Sequence, residues 1–378
     1  MISSKIWRKQ SMDKVTTKTH RFTNPLYLES GRIIEPYELV YETYGELNEE
    51  RSNVIVITHA LSGSHHAAGF YEGDKKPGWW DSLIGAGKGV DTDRYFVICV
   101  NVIGSCFGST GPMSSMYPSH KPYRFRFPVV SVRDMVRAQK ILFGTLGIDR
   151  VKAIIGGSMG GMQALVFAVD YPNFAEHVIP LATTHATRPS VIAFNKIMSE
   201  AIRNDPSFCK GEYDPKSIQE SGCVGLSVAR MLGFMHYLSP SALERKFGRN
   251  YVQNDGLYEL FGRFEVERYL EYNGYNFPKY FDPLSYLYII KAISIFDLSF
   301  GFDSLKEALK RVKSRLHLIA FSGDTMFFSH ELKEIKEAMD AIGSGNLCDF
   351  YEVQSDYGHD SFLVEVERYE DYIREILR

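Results

Sequence analysis

Short runs of apolar, mostly β-branched residues recur along the chain: Asn53-Val54-Ile55-Val56-Ile57-Thr58, Tyr95-Phe96-Val97-Ile98-Cys99-Val100-Asn101, Val151-Lys152-Ala153-Ile154-Ile155, Leu316-His317-Leu318-Ile319-Ala320-Phe321-Ser322 and Asp349-Phe350-Tyr351-Glu352-Val353. Each is strand-length and ends in small or polar residues, which predicts a β-strand running into a loop. Segments with helical spacing lie between them. Ser131-Val132-Arg133-Asp134 is a capping box that opens a helix burying Val132, Met135, Val136, Leu142 and Leu146, with Gly147 as its stop. Met162, Leu165, Val166 and Val169 mark a second helix that ends at Tyr171-Pro172, and Leu332, Ile335, Met339 and Ile342 a third, stopped by Gly343. A further helix closes the chain at Arg378. This alternation predicts an α/β fold built on a mostly parallel sheet. Leu26-Tyr27-Leu28 and the run Tyr37 to Tyr44 alternate with period two instead and predict antiparallel edge strands leading into it.

After about Thr183 the β-type runs stop for more than a hundred residues. Ile192 to Ile202, Val224 to Leu238 and Leu284 to Ile293 have helix-like patterns, so a helical insert interrupts the sheet. The predicted division is a core of residues 1–183 and 311–378 and an insert of 184–310. Aromatic residues crowd the insert from Phe261 and Phe264 to Tyr286 and Tyr288, which suits surfaces folding over a cleft or onto another subunit, as well as plain packing.

Composition narrows the picture by exclusion. The 378 residues are 44% hydrophobic and 24% charged with a formal net charge of -3, so there is no electrostatic footprint for nucleic acid or an anionic membrane. The stretch Met1 to Lys9 is charged without a following apolar core, and no run is long enough to span a bilayer, which predicts a cytoplasmic protein. Cys99, Cys106, Cys209, Cys223 and Cys348 are odd in number and lack C-x-x-C spacing, arguing against disulfides and against a zinc site.

The candidate chemistry begins where the Val151 strand breaks. Gly156-Gly157-Ser158-Met159-Gly160 fits G-x-S-x-G, in which a serine sits on a sharp strand-to-helix turn that only tiny neighbours permit. A glycine-rich turn before any helix could look the same, but the strand before and helical spacing after favour a nucleophile elbow. Such a turn lifts Ser158 clear of the sheet and aims the Met159 N–H at the place where oxyanion charge would develop. The loop His59-Ala60-Leu61-Ser62-Gly63-Ser64-His65-His66-Ala67-Ala68-Gly69 offers the Leu61 N–H as a second oxyanion donor. Its three histidines have no Asp, Glu or Cys at ligand spacing, so no metal is expected. Gly104 to Pro112 is another small-residue loop at a strand's carboxyl end, where ligands bind in open α/β sheets, but it lacks the lysine of a phosphate loop. A serine hydroxyl needs a general base held by a carboxylate, and Asp324 and His359 follow Ser158 at later strand ends in the order expected for an elbow nucleophile. On the insert, Arg230 and Tyr237 stand seven positions apart, about two helical turns, and share a face.

The segments His59 to Gly63, Pro77-Gly78-Trp79-Trp80, Asp91 to Ile98, Gly108-Ser109-Thr110-Gly111-Pro112, Gly156 to Gln163 and Tyr357-Gly358-His359-Asp360-Ser361-Phe362-Leu363 closely resemble the homoserine O-acetyltransferase family. So do Gly225 to Arg230 and Lys246-Phe247-Gly248-Arg249-Asn250 in the insert. The resemblance covers nearly the whole chain after residue 20. It implies an α/β-hydrolase core with the insert as a helical lid, a homodimer formed through that lid, and ping-pong transfer of acetyl from acetyl-CoA to the hydroxyl of L-homoserine, with no cofactor besides that substrate. By the same resemblance Ser158 is the nucleophile, His359 the general base and acid, Asp324 its orienting carboxylate, and Leu61 and Met159 the oxyanion amides. Arg230 holds the acceptor carboxylate and Asp360 its ammonium, with Tyr237 beside them. The chain departs from the family pattern at Ser64, Ser105, Pro283-Leu284 and Ser294, none of them in the triad. A succinyl donor or a serine acceptor would use the same architecture, although the lack of Arg or Lys in the loops Leu61 to Gly69 and Cys106 to Met113 favours acetyl. Triad and oxyanion hole alone would also suit an esterase that passes the acyl group to water, and a non-catalytic protein on this fold is a third reading.

Overall fold

In the computed structural model, which describes residues 15–253 and 257–378, one sheet is built from β1 (Lys18–Phe22), β4 (Tyr37–Tyr44), β5 (Val54–Thr58), β6 (Phe96–Val100), β9 (Val151–Gly157), β10 (Ala175–Leu181), β11 (Arg315–Phe321) and β12 (Cys348–Val353). Two small hairpins stand apart, β2 (Leu26–Tyr27) with β3 (Ile33–Ile34) and β7 (Ser115–Met116) with β8 (Lys121–Pro122). The stretch Met1 to Lys9 lies outside the described residues. The sheet order is β1-β4-β6-β5-β9-β10-β11-β12. β4, one of the two runs with a period-two pattern, is antiparallel to both β1 and β6, and the remaining neighbouring pairs are parallel; the other such run, at Leu26–Tyr27, pairs antiparallel with β3 outside this sheet.

Both faces of the sheet are covered, which explains why its central strands are apolar at most positions. Val54, Val56, Ile154 and Leu318 point to one side and pack with α1 (Val132–Thr145), α2 (Met159–Asp170) and α10 (Ser329–Ala341). Ile55, Ile57, Ile155 and Ile319 point to the other, against Trp80, Leu83 and the C-terminal α12 (Glu370–Leu377). The capping box at α1 forms as expected: Ser131 Oγ takes the Asp134 N–H at 3.1 Å and Asp134 takes the Ser131 N–H at 3.0 Å. Leu146 ends half-buried, because it is the residue that caps the helix at the surface.

β10 has no apolar signature in the sequence. Its residues Ala175-Glu176-His177-Val178-Ile179-Pro180-Leu181 include a proline, which has no N–H for a ladder and ordinarily argues against a central strand. The slot between β9 and β11 decides instead. The register with β9 continues through Pro180, whereas that with β11 holds at His177, Val178 and Leu181 and lapses between.

Between β10 and β11 the chain forms α3 (Pro189–Arg203), α4 (Pro215–Ser221), α5 (Val224–Tyr237), α6 (Pro240–Phe247), α7 (Glu265–Asn276), α8 (Pro283–Ser294) and α9 (Leu305–Leu309). The chain leaves and rejoins the sheet side by side: Thr187 N–H donates to Phe296 O at 3.0 Å and Leu298 N–H to His185 O at 2.8 Å. The aromatic cluster divides by role. Phe277, Phe281 and Tyr286 are buried, whereas Phe261, Tyr272, Tyr275 and Tyr280 are exposed. Among the described residues no helix is long and apolar enough to cross a membrane.

Candidate active site

β9 turns into α2 at Ser158, whose φ of 58° and ψ of -125° are unusual for any residue with a side chain. The turn is pressed against its surroundings. A Cβ on Gly160 would lie 2.0 Å from Thr58 O, and one on Gly157 2.3 Å from the Phe362 ring. Thr58 Oγ1 donates to Gly160 O at 2.8 Å, binding the end of β5 to the first turn of α2. Gly160→Ala should therefore lower stability by about 2–3 kcal/mol, the cost of overpacking against backbone that cannot give way, and thermal denaturation of the purified variant measures it.

Three buried side chains meet at the elbow. His359 Nε2 lies 2.9 Å from Ser158 Oγ, and His359 Nδ1 lies 2.7 Å from Asp324 Oδ2. Asp324 comes from the loop after β11 and is pinned by its other oxygen, Oδ1, which accepts the N–H groups of Met326 at 2.8 Å and Phe327 at 3.0 Å. Burial alone would push the His359 pKa down, but the Asp324 carboxylate outweighs it and holds the imidazole above its ordinary value. With Nδ1 donating to Asp324, Nε2 is left to accept from Ser158. Such a chain can take up the serine proton during attack on a carbonyl and return it to a leaving group.

The Leu61 amide sits in the loop after β5 and the Met159 amide opens α2; among the described residues neither donates to another group. Their loop is braced by residues that look functional in the sequence. His59 Nε2 accepts the Val102 N–H at 3.0 Å, and burial pushes its pKa down to about 4, so it is neutral. Gln163 Nε2 donates to His59 O at 3.0 Å. His66 Nδ1 and Tyr44 OH bind the buried Glu42 carboxylate at 3.0 and 2.7 Å, and Tyr71 OH joins them. Burial would raise the Glu42 pKa, but the bonds from His66, Tyr71 and Tyr44 overcome it and hold it down at about 2. Among the described residues no group of three His, Cys, Asp or Glu is placed to hold a metal ion.

Arg230 and Tyr237 do share a face of α5. The Arg230 guanidinium lies 3.4 Å from Tyr237 OH and 3.5 Å from Ser62 Oγ, next to Leu61. The rings of Phe234, Tyr237 and Phe277 surround it, with centroids at 5.0, 5.0 and 4.7 Å. Asp360 follows the histidine directly. Its burial, opposed by His359 and Arg230, raises its pKa to about 6. Among the described residues neither Arg230 nor Asp360 has an ion-pair partner within 4.0 Å. The loop that carries His359 and Asp360 is sewn to the end of α5: His359 N–H donates to His236 O at 3.2 Å, Asp360 N–H to Tyr237 O at 3.0 Å and Ser239 N–H to Tyr357 O at 2.7 Å. Gly358, with φ of 124°, lets the two strands of this seam approach, since a Cβ there would lie 2.5 Å from Ser239 N.

The departures from the family pattern lie away from the Ser-His-Asp chain. Ser64 Oγ accepts the His66 N–H at 3.2 Å, and Ser294 Oγ donates to Ile290 O at 2.7 Å. Pro283 is the first residue of α8, behind its Asp282 cap, and Leu284 is buried. Ser105 Oγ is buried with no hydrogen-bond partner among the described residues.

Against known proteins, the α/β-hydrolase fold family matches residues 53–366. A homoserine O-acetyltransferase of Nautilia profundicola is 63% identical over 366 residues, 97% of this chain and 99% of the relative. Among solved structures, the homoserine O-acetyltransferase from Bacillus anthracis has a TM-score of 0.89 at 32% identity, covering 97% of this chain and 98% of that one. Esterase E22 has a TM-score of 0.86 at 29% identity, covering 96% of this chain and 100% of its own. The chain belongs to the homoserine O-acetyltransferase family of the α/β-hydrolase fold.

Proposed function

We propose that the protein is an acyltransferase that moves an acetyl group from acetyl-CoA to the side-chain hydroxyl of L-homoserine through an acyl-serine. Ser158 Oγ attacks the thioester carbonyl as His359 takes its proton, the carbon–sulfur bond breaks, and the proton leaves with the CoA thiol. The homoserine hydroxyl then attacks the acyl-serine, its proton passing through His359 back to Ser158. The Leu61 and Met159 amides stabilise the oxyanion in both steps. The observation that carries this reading is the pair of opposite charges, Arg230 and Asp360, beside the Ser-His-Asp chain, neither of which has an ion-pair partner within 4.0 Å among the described residues. A zwitterionic acceptor supplies a carboxylate to one and an ammonium to the other.

Arg230 also bears on the donor. It reaches the oxyanion loop from α5, so counting cations within the loops alone overlooks it. A succinyl carboxylate would compete for Arg230 with the acceptor carboxylate, which favours acetyl. The structural likeness to esterase E22 supports a second reading, with water as acceptor. Incubation with acetyl-CoA, with and without homoserine, separates them: acetyl-homoserine forming at the rate of CoA release supports transfer. Free acetate appearing at one rate in both cases supports the esterase.

The same reading takes residues 184–310 as a lid domain, with Val224, Val228 and Met235 exposed along α5 as part of a homodimer contact. It also takes the protein to be cytoplasmic, with no cofactor beyond acetyl-CoA.

Protonation sets a pH prediction. His359 must be neutral to act as base, so the first half-reaction should rise with pH through a pKa above 6.5. Asp360 must be ionised to hold an ammonium, and its pKa is about 6 in the free protein. Below that pH the KM for homoserine should climb by about tenfold per unit while the KM for acetyl-CoA does not. Initial rates with each substrate varied between pH 5 and 8 check both.

A further inference from the structure

Directly after β5 the residues Ala60, Leu61, Ser62 and Gly63 make a tight turn, closed by the Gly63 N–H, which donates to Ala60 O at 3.0 Å. In such a turn the bond joins the first carbonyl to the fourth N–H, and the N–H of the second residue takes no part in it. Here that second residue is Leu61. Its N–H and Ala60 O belong to one planar peptide group, so whatever holds Ala60 O also sets where the Leu61 N–H points.

Ala60 O has a second donor. His59 Nδ1 lies 2.8 Å from it. The tautomer follows from the other ring nitrogen: the Val102 N–H, 3.0 Å from Nε2, can only donate, so Nε2 accepts and the ring proton sits on Nδ1. His59 is fully buried, and that burial holds its pKa down at about 4, which keeps the ring in this neutral form. Its own backbone is fixed as well. Gln163 Nε2 donates to His59 O at 3.0 Å, and Gln139 Nε2 donates to Gln163 Oε1 at 2.7 Å, so α1 and α2 both hold the end of β5. The bonds run in one direction, from the Val102 N–H to the imidazole, from the imidazole to the Ala60–Leu61 peptide, and out through the Leu61 N–H. In a chain of this kind each bond polarises the next, by roughly 10–30% per bond.

We propose that His59 is a positioning residue for acyl transfer, which through Ala60 O orients and polarises the Leu61 N–H, the oxyanion donor of the loop after β5. The proposal rests on the acyl-serine reading above and extends it one residue beyond the oxyanion amides. His59 exchanges no proton with the substrate.

Two substitutions divide its bonds. In His59→Gln the amide reaches the place of Nε2 and can accept from Val102, but nothing donates from the place of Nδ1. In His59→Asn the amide nitrogen stands near the place of Nδ1 and can donate to Ala60 O, while the buried Val102 N–H loses its acceptor. Thermal denaturation should therefore show His59→Asn as the less stable of the two. The rates should run the other way. In single turnovers with acetyl-CoA, acetylation of Ser158 should slow at least about tenfold in His59→Gln with half-saturation changed by less than about twofold, a share of the roughly 10²- to 10³-fold loss that follows removal of a whole oxyanion donor. His59→Asn should acetylate faster than His59→Gln. The carbonyl band of isotope-labelled acetyl-Ser158 in infrared difference spectra should move to higher wavenumber in His59→Gln, reporting a weaker bond to that oxygen. If His59→Asn does not fold, the rate and the band of His59→Gln decide alone. Nitrogen NMR of the unaltered protein with labelled histidine should show the His59 proton on Nδ1; a proton on Nε2 overturns the proposal whatever the variants do. So does a His59→Gln protein with an unchanged rate and band, or a pair of variants whose rates follow their stabilities. Failure of the parent reading looks different: the unaltered protein would form no acetyl-serine with acetyl-CoA.

Discussion

Replacing Ser158 with alanine is expected to abolish acyl transfer, with kcat reduced by at least about 10⁴-fold. The size of the effect follows from how the group is held. Among the described residues Ser158 Oγ is the one nucleophile in hydrogen-bond reach of His359 Nε2, and its backbone is committed to a conformation that presents that hydroxyl to the histidine. Without it, His359, Asp324 and the two amides would have an intact geometry and no atom to receive the acyl group. Mass spectrometry after mixing with acetyl-CoA alone should show one acetyl group on Ser158 in the unaltered protein and none in the variant. A variant that turns over at a rate near that of the unaltered protein would show that the acyl group never rests on this serine.

Arg230→Ala should separate the two half-reactions. Release of CoA in the absence of acceptor should persist, because Arg230 is bonded to neither Ser158 nor His359. The homoserine step should weaken by about 2–4 kcal/mol, roughly 30- to 900-fold, the scale for losing a charged hydrogen-bonded partner in a sheltered site. Three aromatic rings hold the guanidinium in place, so a lysine is not expected to rescue it: it lacks the planar fork that stacks and grips a carboxylate with two bonds. Stopped-flow measurement of each half-reaction, with serine as a second acceptor, checks the split. Equal loss in both halves would mean that Arg230 supports the helical segment or the donor.

What the sequence discloses is mostly short-range. The elbow is legible because four glycines and a serine must be neighbours for the backbone to turn that sharply, and most of the central strands because their burial on both faces leaves few polar positions. The order of Ser158, Asp324 and His359 is legible for a related reason: each stands where a strand ends, and strand ends in a parallel sheet share one edge. Contacts between distant segments are not legible. β10 contains Glu176, His177 and Pro180 and becomes a strand only by fitting between β9 and β11. Glu42, in a period-two strand, reads as a solvent-facing residue, yet it lies fully buried beneath His65 and His66. The three histidines, which invite a metal reading, are explained by partners that are not their neighbours in sequence: Val102 for His59 and Glu42 for the other two. Nor could spacing show that Phe277, forty-seven positions on, would stack beneath Arg230, although the spacing of Arg230 and Tyr237 was enough to put those two together.

The backbone seam between the end of α5 and the His359 loop has a consequence for how such a protein can drift. Arg230, Tyr237, His359 and Asp360 all belong to one sewn piece, whereas Ser158, Met159 and Leu61 belong to the sheet edge beneath it. Under the proposed assignment, the separations that choose the acceptor are internal to the upper piece, and the separation that sets the speed, from His359 to Ser158, crosses from one piece to the other. Substitutions that shift the upper piece as a whole would slow the reaction while leaving its choice of amino acid unchanged. A new acceptor preference would have to arise within the seam itself.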